Sequence, residues 1–107
     1  KVTLLKGTIN HGGSNVYELA TQNGAKVVMV AENTNNNNKE FFEFGVIDNG
    51  TDIFHTEYGN VRTGEQLIVP TFEKTASGFA RVNFDIGSSV TAGHNVVVTI
   101  VSNINKK

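Results

Sequence analysis

A chain of 107 residues with 9 basic and 10 acidic side chains, net charge −1, has the length of one domain and no charge excess to steer it onto nucleic acid. The absence of cysteine excludes disulfides, thiolate metal centres, iron–sulfur clusters and thiol nucleophiles, and no stretch approaches the ~20 apolar residues of a membrane-spanning helix. Fourteen Val, seven Ile, eleven Thr and seven Phe against four Leu and six Ala, with 14 Asn and 11 Gly between them, is strand filling punctuated by turn residues.

In chain order, Val2 to Ile9 reads as a strand ending at the turn cluster Asn10-His11-Gly12-Gly13-Ser14. The N-terminal segment Lys1 to Lys6 shows no leader core, cleavage site or initiator Met, as expected of a mature or trimmed chain. Asn15 to Ala20 is a short strand that stops at Thr21-Gln22-Asn23-Gly24. Ala25 to Asn33 is the most apolar segment, and Val27 to Ala31 predicts a central strand covered on both faces. The run Asn33 to Lys39 has no apolar surface to bury and predicts an exposed, mobile loop.

Glu40 to Asp48 alternates, with Phe42, Phe44 and Val46 facing a core and Phe41, Glu43, Gly45 and Ile47 facing away. Asp48-Asn49-Gly50-Thr51 follows, and its central Asn-Gly predicts a type I′ hairpin joining Phe41–Asp48 to Thr51–Tyr58. Gly59 to Gly64 reads as a loop, and Glu65 to Val69 as a short strand halted at Pro70, at an edge or corner. Ser77 to Ile86 alternates strictly, with Ala80, Val82, Phe84 and Ile86 on one side. Gly87 to His94 is a Gly-bounded loop, and Asn95 to Val101 is the last strand.

About eight short strands without a helical-period segment predict an all-β fold, an antiparallel two-sheet β-sandwich of residues 1–107 in one domain. Both a jelly-roll-like and an Ig-like strand order fit these signals. The expected core is Val28, Val30, Phe42, Phe44, Val46, Val82, Phe84, Val96, Val98 and Ile100.

No constellation of catalytic residues emerges. His11, His55 and His94 lack ligand spacing, so no metal site is expected. Ser14, Ser77, Ser88, Ser89 and Ser102 lack the elbow of a serine hydrolase. The acids include no calcium-loop pattern, and Glu40 and Glu43, among Phe41, Phe42 and Phe44, read as outward-facing strand acids. Gly12-Gly13-Ser14 lacks the Lys and helix of a phosphate loop and reads as a turn. Asn49-Gly50-Thr51 has the form of a glycosylation acceptor, but the turn already accounts for it. Arg62, Arg81 and the scattered lysines make no basic stripe, so neither nucleic acid nor a cofactor is an expected partner. Tyr17, Phe54, Tyr58 and Phe72 would form an aromatic platform for sugar if the fold placed them together.

The succession Leu5-Lys6-Gly7-Thr8-Ile9, Ser14-Asn15-Val16-Tyr17-Glu18-Leu19, Ala25 to Asn33, Phe42 to Thr51, Gly64 to Val69 and Ser89 to Val98 resembles the small β-sandwich virion proteins of tailed bacteriophages. In these, a tyrosine-bearing strand leads into a Val-rich strand, then a Phe-rich strand and a dipeptide hairpin. The resemblance implies a non-enzymatic structural protein of the virion, assembled in the host cytoplasm. Capsid decoration (cement) on the outer shell, bound to the major capsid protein or other virion subunits, comes first. A tail or fibre component, a carbohydrate-binding module and, more distantly, a small hydrolase are the alternatives. No functional residue is carried across by the resemblance.

Phe41 and Ile47, opposite the core phase of their strand, and Phe54 and Tyr58 on the next, form an expected contact surface if the hairpin puts them on one face. The alternative is that the loops Asn33 to Lys39 and Gly87 to His94 cover them. A homo-oligomer would hide such a patch, and the likeness to cement proteins at three-fold positions of a shell implies a trimer.

Overall fold

Strands form wherever β-branched and aromatic residues alternate with polar ones, and the chain turns where Asn and Gly cluster. The computed structural model describes residues 2–10, 12–19, 24–75 and 80–104. Eight strands are present: β1 (Val2–Asn10), β2 (Ser14–Leu19), β3 (Ala25–Asn33), β4 (Lys39–Asp48), β5 (Ile53–Arg62), β6 (Ile68–Lys74), β7 (Ala80–Ile86) and β8 (Asn95–Ile104). They form two antiparallel sheets, a five-stranded sheet of order β1-β8-β3-β4-β5 and a three-stranded sheet of order β2-β7-β6. The described residues contain no helix, and the fold is the expected all-β sandwich.

The core lies between the sheets. The large sheet contributes Ile9, Val27, Met29, Ala31, Phe42, Phe44, Val46, Val96, Val98 and Ile100, and the small one Ile68, Ala80, Val82 and Phe84. Leu67 and Val90 enter from connections and are also buried. Phe42 and Phe44 stack at 5.7 Å, and Phe72 of β6 meets Phe44 edge-on at 5.0 Å, which joins the two layers through aromatic contact.

Three expectations are corrected. In β3 the inward phase is Val27, Met29 and Ala31, and Val28 and Val30 point away from the core. The strand is central, yet only one of its faces is covered. A continuous apolar run carries no phase of its own, and register with Phe42 and Phe44 of β4 decides it. The hairpin is a four-residue connection with Asp48 opposite Ile53, where a type I′ turn would set Asp48 opposite Thr51. Gly50 has φ 93° while Asn49 stays at negative φ, because its side-chain oxygen accepts the Thr51 and Asp52 N–H groups at 3.0 and 2.8 Å. Finally, β5 continues to Arg62 through the expected loop, and β6 runs through Pro70 to Lys74 instead of stopping there. Pro70 is accommodated because β6 is an edge strand, as its presence implied.

The phase correction sets up a paired measurement. Phe44→Ala should lower stability by ~3–5 kcal/mol, while Val30→Ala should stay within about 0.5 kcal/mol of the parent in denaturant melts. Equal losses would place Val30 in the core.

Candidate functional site

The Asn run between β3 and β4 forms one end of the sandwich. Asn35, Asn36 and Asn37 are exposed as expected, but the segment is held in a defined turn. The Asn33 N–H donates to the Asn38 carbonyl and the Asn37 N–H to the Asn33 carbonyl, both at 2.8 Å. Side-chain oxygens of Asn33 and Asn36 accept the N–H groups of Asn35 and Asn38 at 2.9 and 3.0 Å. Asn37 adopts φ 64°, a left-handed conformation that Asn tolerates better than most residues. Apolar burial does not order this loop; the short amide side chains bond to nearby backbone instead.

Glu65 is the hub of this end. Its Oε2 accepts the Asn33 and Asn36 amides at 3.2 and 3.1 Å, and its Oε1 accepts that of Asn38. These donors, Asn36 foremost and its own backbone amide next, hold the Glu65 carboxyl below its ordinary range against the opposing effect of desolvation. The buried Asn33 amide nitrogen also lies 3.1 Å from His94 Nδ1, which makes Nδ1 the acceptor and places the ring proton on Nε2. Such a carboxylate, held by three side-chain amides, clasps the loop.

Two more carboxylates tie the sheets together. Glu40 is 1% exposed and turns inward, contrary to the outward orientation expected of it. Its Oε1 accepts the N–H groups of Leu67 and Ile68 at 2.9 and 3.3 Å; its Oε2 accepts the Asn60 amide at 3.0 Å and lies 3.7 Å from Arg62 Nε. Asp48 of β4 meets Lys74 of β6 at 2.6 Å and accepts the Gly50 N–H at the same distance. The Lys74 hydrogen bond, followed by that of Gly50, holds the Asp48 carboxyl below its ordinary value. Glu43 does face outward, and pairs with Lys26 at 3.0 Å.

The outer face of the large sheet has a different chemistry. Ile47 and Phe54 are direct cross-strand partners, and Phe41 is opposite Val61 on one side and Val30 on the other. A bulge at Glu43/Phe44, where Glu43 pairs with Gly59 and Phe44 with Glu57, leaves Tyr58 as the extra residue. The Tyr58 ring lies over Gly45, its hydroxyl only 2.6 Å from where a Cβ would stand. A side chain at position 45 would lift that ring.

All four expected contact residues, Phe41, Ile47, Phe54 and Tyr58, thus share one face. Val30 and Val61 belong to the same surface, although the sequence alone points to a core position for Val30 and a loop for Val61. Neither long loop covers the patch, since Ile47, Phe54, Tyr58 and Val61 are all more than half exposed. The four-residue aromatic platform does not form, because Phe72 turns inward against Phe44 and stacks on His55 at 4.5 Å. His11, Asn23, Ser77 and the Tyr17 side chain lie outside the described residues. Gly12 and Gly13 form the expected turn, with the Gly13 N–H donating to the Asn10 carbonyl at 2.8 Å. Among the described residues no three of His, Asp and Glu stand together as a metal-ligand set.

No protein-family model and no curated protein matches the chain. Among solved structures it is similar to the tailspike protein of Acinetobacter phage vB_ApiP_P1, with a TM-score of 0.58 and 16% identity over 95% of this chain. The matched region is 21% of the tailspike chain, so this chain spans about a fifth of that protein's length. At this identity the likeness is one of fold.

Two outcomes follow from the polar ties. Asp48 and Glu65 have carboxyl groups lowered in the folded state, so their stabilisation is complete above the unfolded values and lost as pH falls through the folded ones, below about pH 4. Denaturant melts should show Asp48→Asn and Glu65→Gln weakening the fold at pH 7, with the gap to the parent narrowing toward pH 3. A gap independent of pH would remove the carboxylate charge from the account. For the turn, Asn37→Val should cost about 1–2 kcal/mol through its left-handed backbone, whereas Asn37→Gly should not destabilise.

Proposed function

We propose that this chain is a non-enzymatic structural domain of a bacteriophage particle, part of the tail apparatus, binding neighbouring virion subunits through its sandwich surface. The single observation that carries the reading is the likeness of nearly the whole chain, 95% of it, to a region of a phage tailspike protein. The geometry is compatible with it. Several side chains that could serve catalysis are committed to holding the fold: Glu40 and Asp48 bridge the sheets, Glu65 clasps the Asn turn, and His55 and His94 are engaged by Phe72 and Asn33. An apolar face on the large sheet remains, and such faces on soluble proteins mark contact surfaces.

Capsid decoration is the second reading. It rests on the strand-by-strand resemblance to cement proteins and asks the shell, rather than the tail, to receive the domain. Carbohydrate binding has less support: of the four aromatic side chains proposed for a platform, the structure exposes Phe54 and Tyr58 on one face and turns Phe72 away.

Purified chain, labelled with gold, should be added to particles assembled without it and to isolated tails and shells, and followed by electron microscopy and co-sedimentation. Saturable binding confined to tails is the expected result. Binding to shells, with protection against heat, would move the domain to the capsid. Glycan-array binding without attachment to any virion component, or turnover of a substrate, would overturn the structural reading.

A further inference from the structure

We propose that the outer face of the large sheet, around β4 and β5, is the interface through which two copies of this chain associate about a two-fold axis. Five residues on this face, Val30, Ile47, Phe54, Tyr58 and Val61, are between 41% (Val30) and 67% (Tyr58) exposed, and Phe41 lies half-buried between Val30 and Val61. At ~150–250 Å² for an aromatic side chain and less for Val and Ile, they leave about 400 Å² of apolar surface open to water. That exceeds what isolated exposed residues produce and falls within the range of functional patches.

The area comes close to what a second copy would need. An ordinary interface covers about 800 Å² per partner and is roughly 60% apolar, which asks for about 480 Å² of apolar surface on each side. A partner presenting the same face supplies most of that amount; the Lys26–Glu43 pair at 3.0 Å crosses the middle of the face, between Phe41 and Ile47, and the Lys39–Glu32 pair at 3.5 Å lies at its margin, so both charge signs are present for a second copy to meet. With a net charge of −1 the copies do not repel one another at long range.

A ring of heterologous contacts needs a second, complementary patch elsewhere on the molecule. Among the described residues the other large exposed hydrophobics are Val16 on β2 and Val69 on β6, separated by the outward Asn83 and Asp85 of β7. Among the described residues these two valines do not complement a six-residue face, whereas the face complements itself, which favours a two-fold dimer over the trimer implied by the cement-protein resemblance. Pairing along the β5 edge is a poorer route, because the bulge at Tyr58 breaks the ladder that a second strand would extend.

Sedimentation equilibrium of the full 107-residue chain, from micromolar to hundreds of micromolar, tests the proposal. The parent should pass from monomer to dimer across this range. The double variant Ile47→Ser/Phe54→Ser should remain monomeric with an unchanged circular dichroism spectrum, and Val16→Ser/Val69→Ser should dimerise as the parent does. If Ile47→Ser/Phe54→Ser fails to fold, Val61→Lys at the sheet rim tests the same face with less disturbance and should weaken association at least tenfold. A parent that stays monomeric throughout, an assembly of more than two copies, or a dimer indifferent to Val61→Lys overturns the proposal.

Discussion

One buried carboxylate governs the passage of the chain from the large sheet to the small one. Glu40 projects inward from the start of β4, is 1% exposed, and is met by Leu67 N–H, Ile68 N–H, the Asn60 amide and, more distantly, Arg62. A carboxylate this deep costs several kcal/mol unless its lone pairs are filled, and here they are filled by the segments that end β5 and begin β6. The crossing therefore has one arrangement that satisfies Glu40. It also delivers the fully buried Leu67 and Ile68 into the core, and β6 then aligns β7 and β2 beside it.

The sheets built on this crossing are unequal, with five strands facing three. Alternation divides strands such as β3, β4 and β7 into an inner and an outer set, but the outward faces of the two sheets differ in chemistry. Across the small sheet they include Thr71, Glu73, Arg81, Asn83 and Asp85, which water solvates. Across β4 and β5 they include Phe41, Ile47, Phe54, Tyr58 and Val61. The bulge contributes to this difference: by inserting Tyr58 as an extra residue, it lets the ring lie across Gly45 while Glu57 still pairs with Phe44. The same hydrophobic effect that closes the core thus leaves an apolar surface outside it.

Composition and turn spacing were enough to read the class of fold and the number of strands, and the strict alternation of β7 with the phases chosen in β4 and β8 identified Phe42, Phe44, Val46, Val82, Phe84, Val96, Val98 and Ile100 as buried. Where alternation failed, so did the reading: in β3 both phases are apolar, and only the partner strand decides between Val27 and Val28. The extension of β5 was hidden because Gly59 and Gly64 resemble turn residues, although Gly59 simply pairs with Glu43. Glu40 was illegible for another reason: its partners lie 20 to 28 residues away, and a local pattern cannot see a carboxylate filled by distant donors. The exposed apolar face was partly legible, since Phe41, Ile47, Phe54 and Tyr58 follow from strand phase, while Val30 and Val61 required the register.

The two ends of this contrast bear on how a sandwich of this kind can recognise anything. A shared fold is a scaffold that hosts unrelated functions, so recognition has to be located in particular surfaces. Loops at the ends of a sandwich are the usual place, yet the best-defined loop end here is already satisfied: Glu65 is held by Asn33, Asn36 and Asn38, and Asn35 by the Asn95 N–H at 3.0 Å. A partner docking there must break those bonds and replace them, and net hydrogen-bond gains in water are small. A partner docking on the outer face breaks none and removes apolar area from water, which makes contact through the flat face the cheaper of the two.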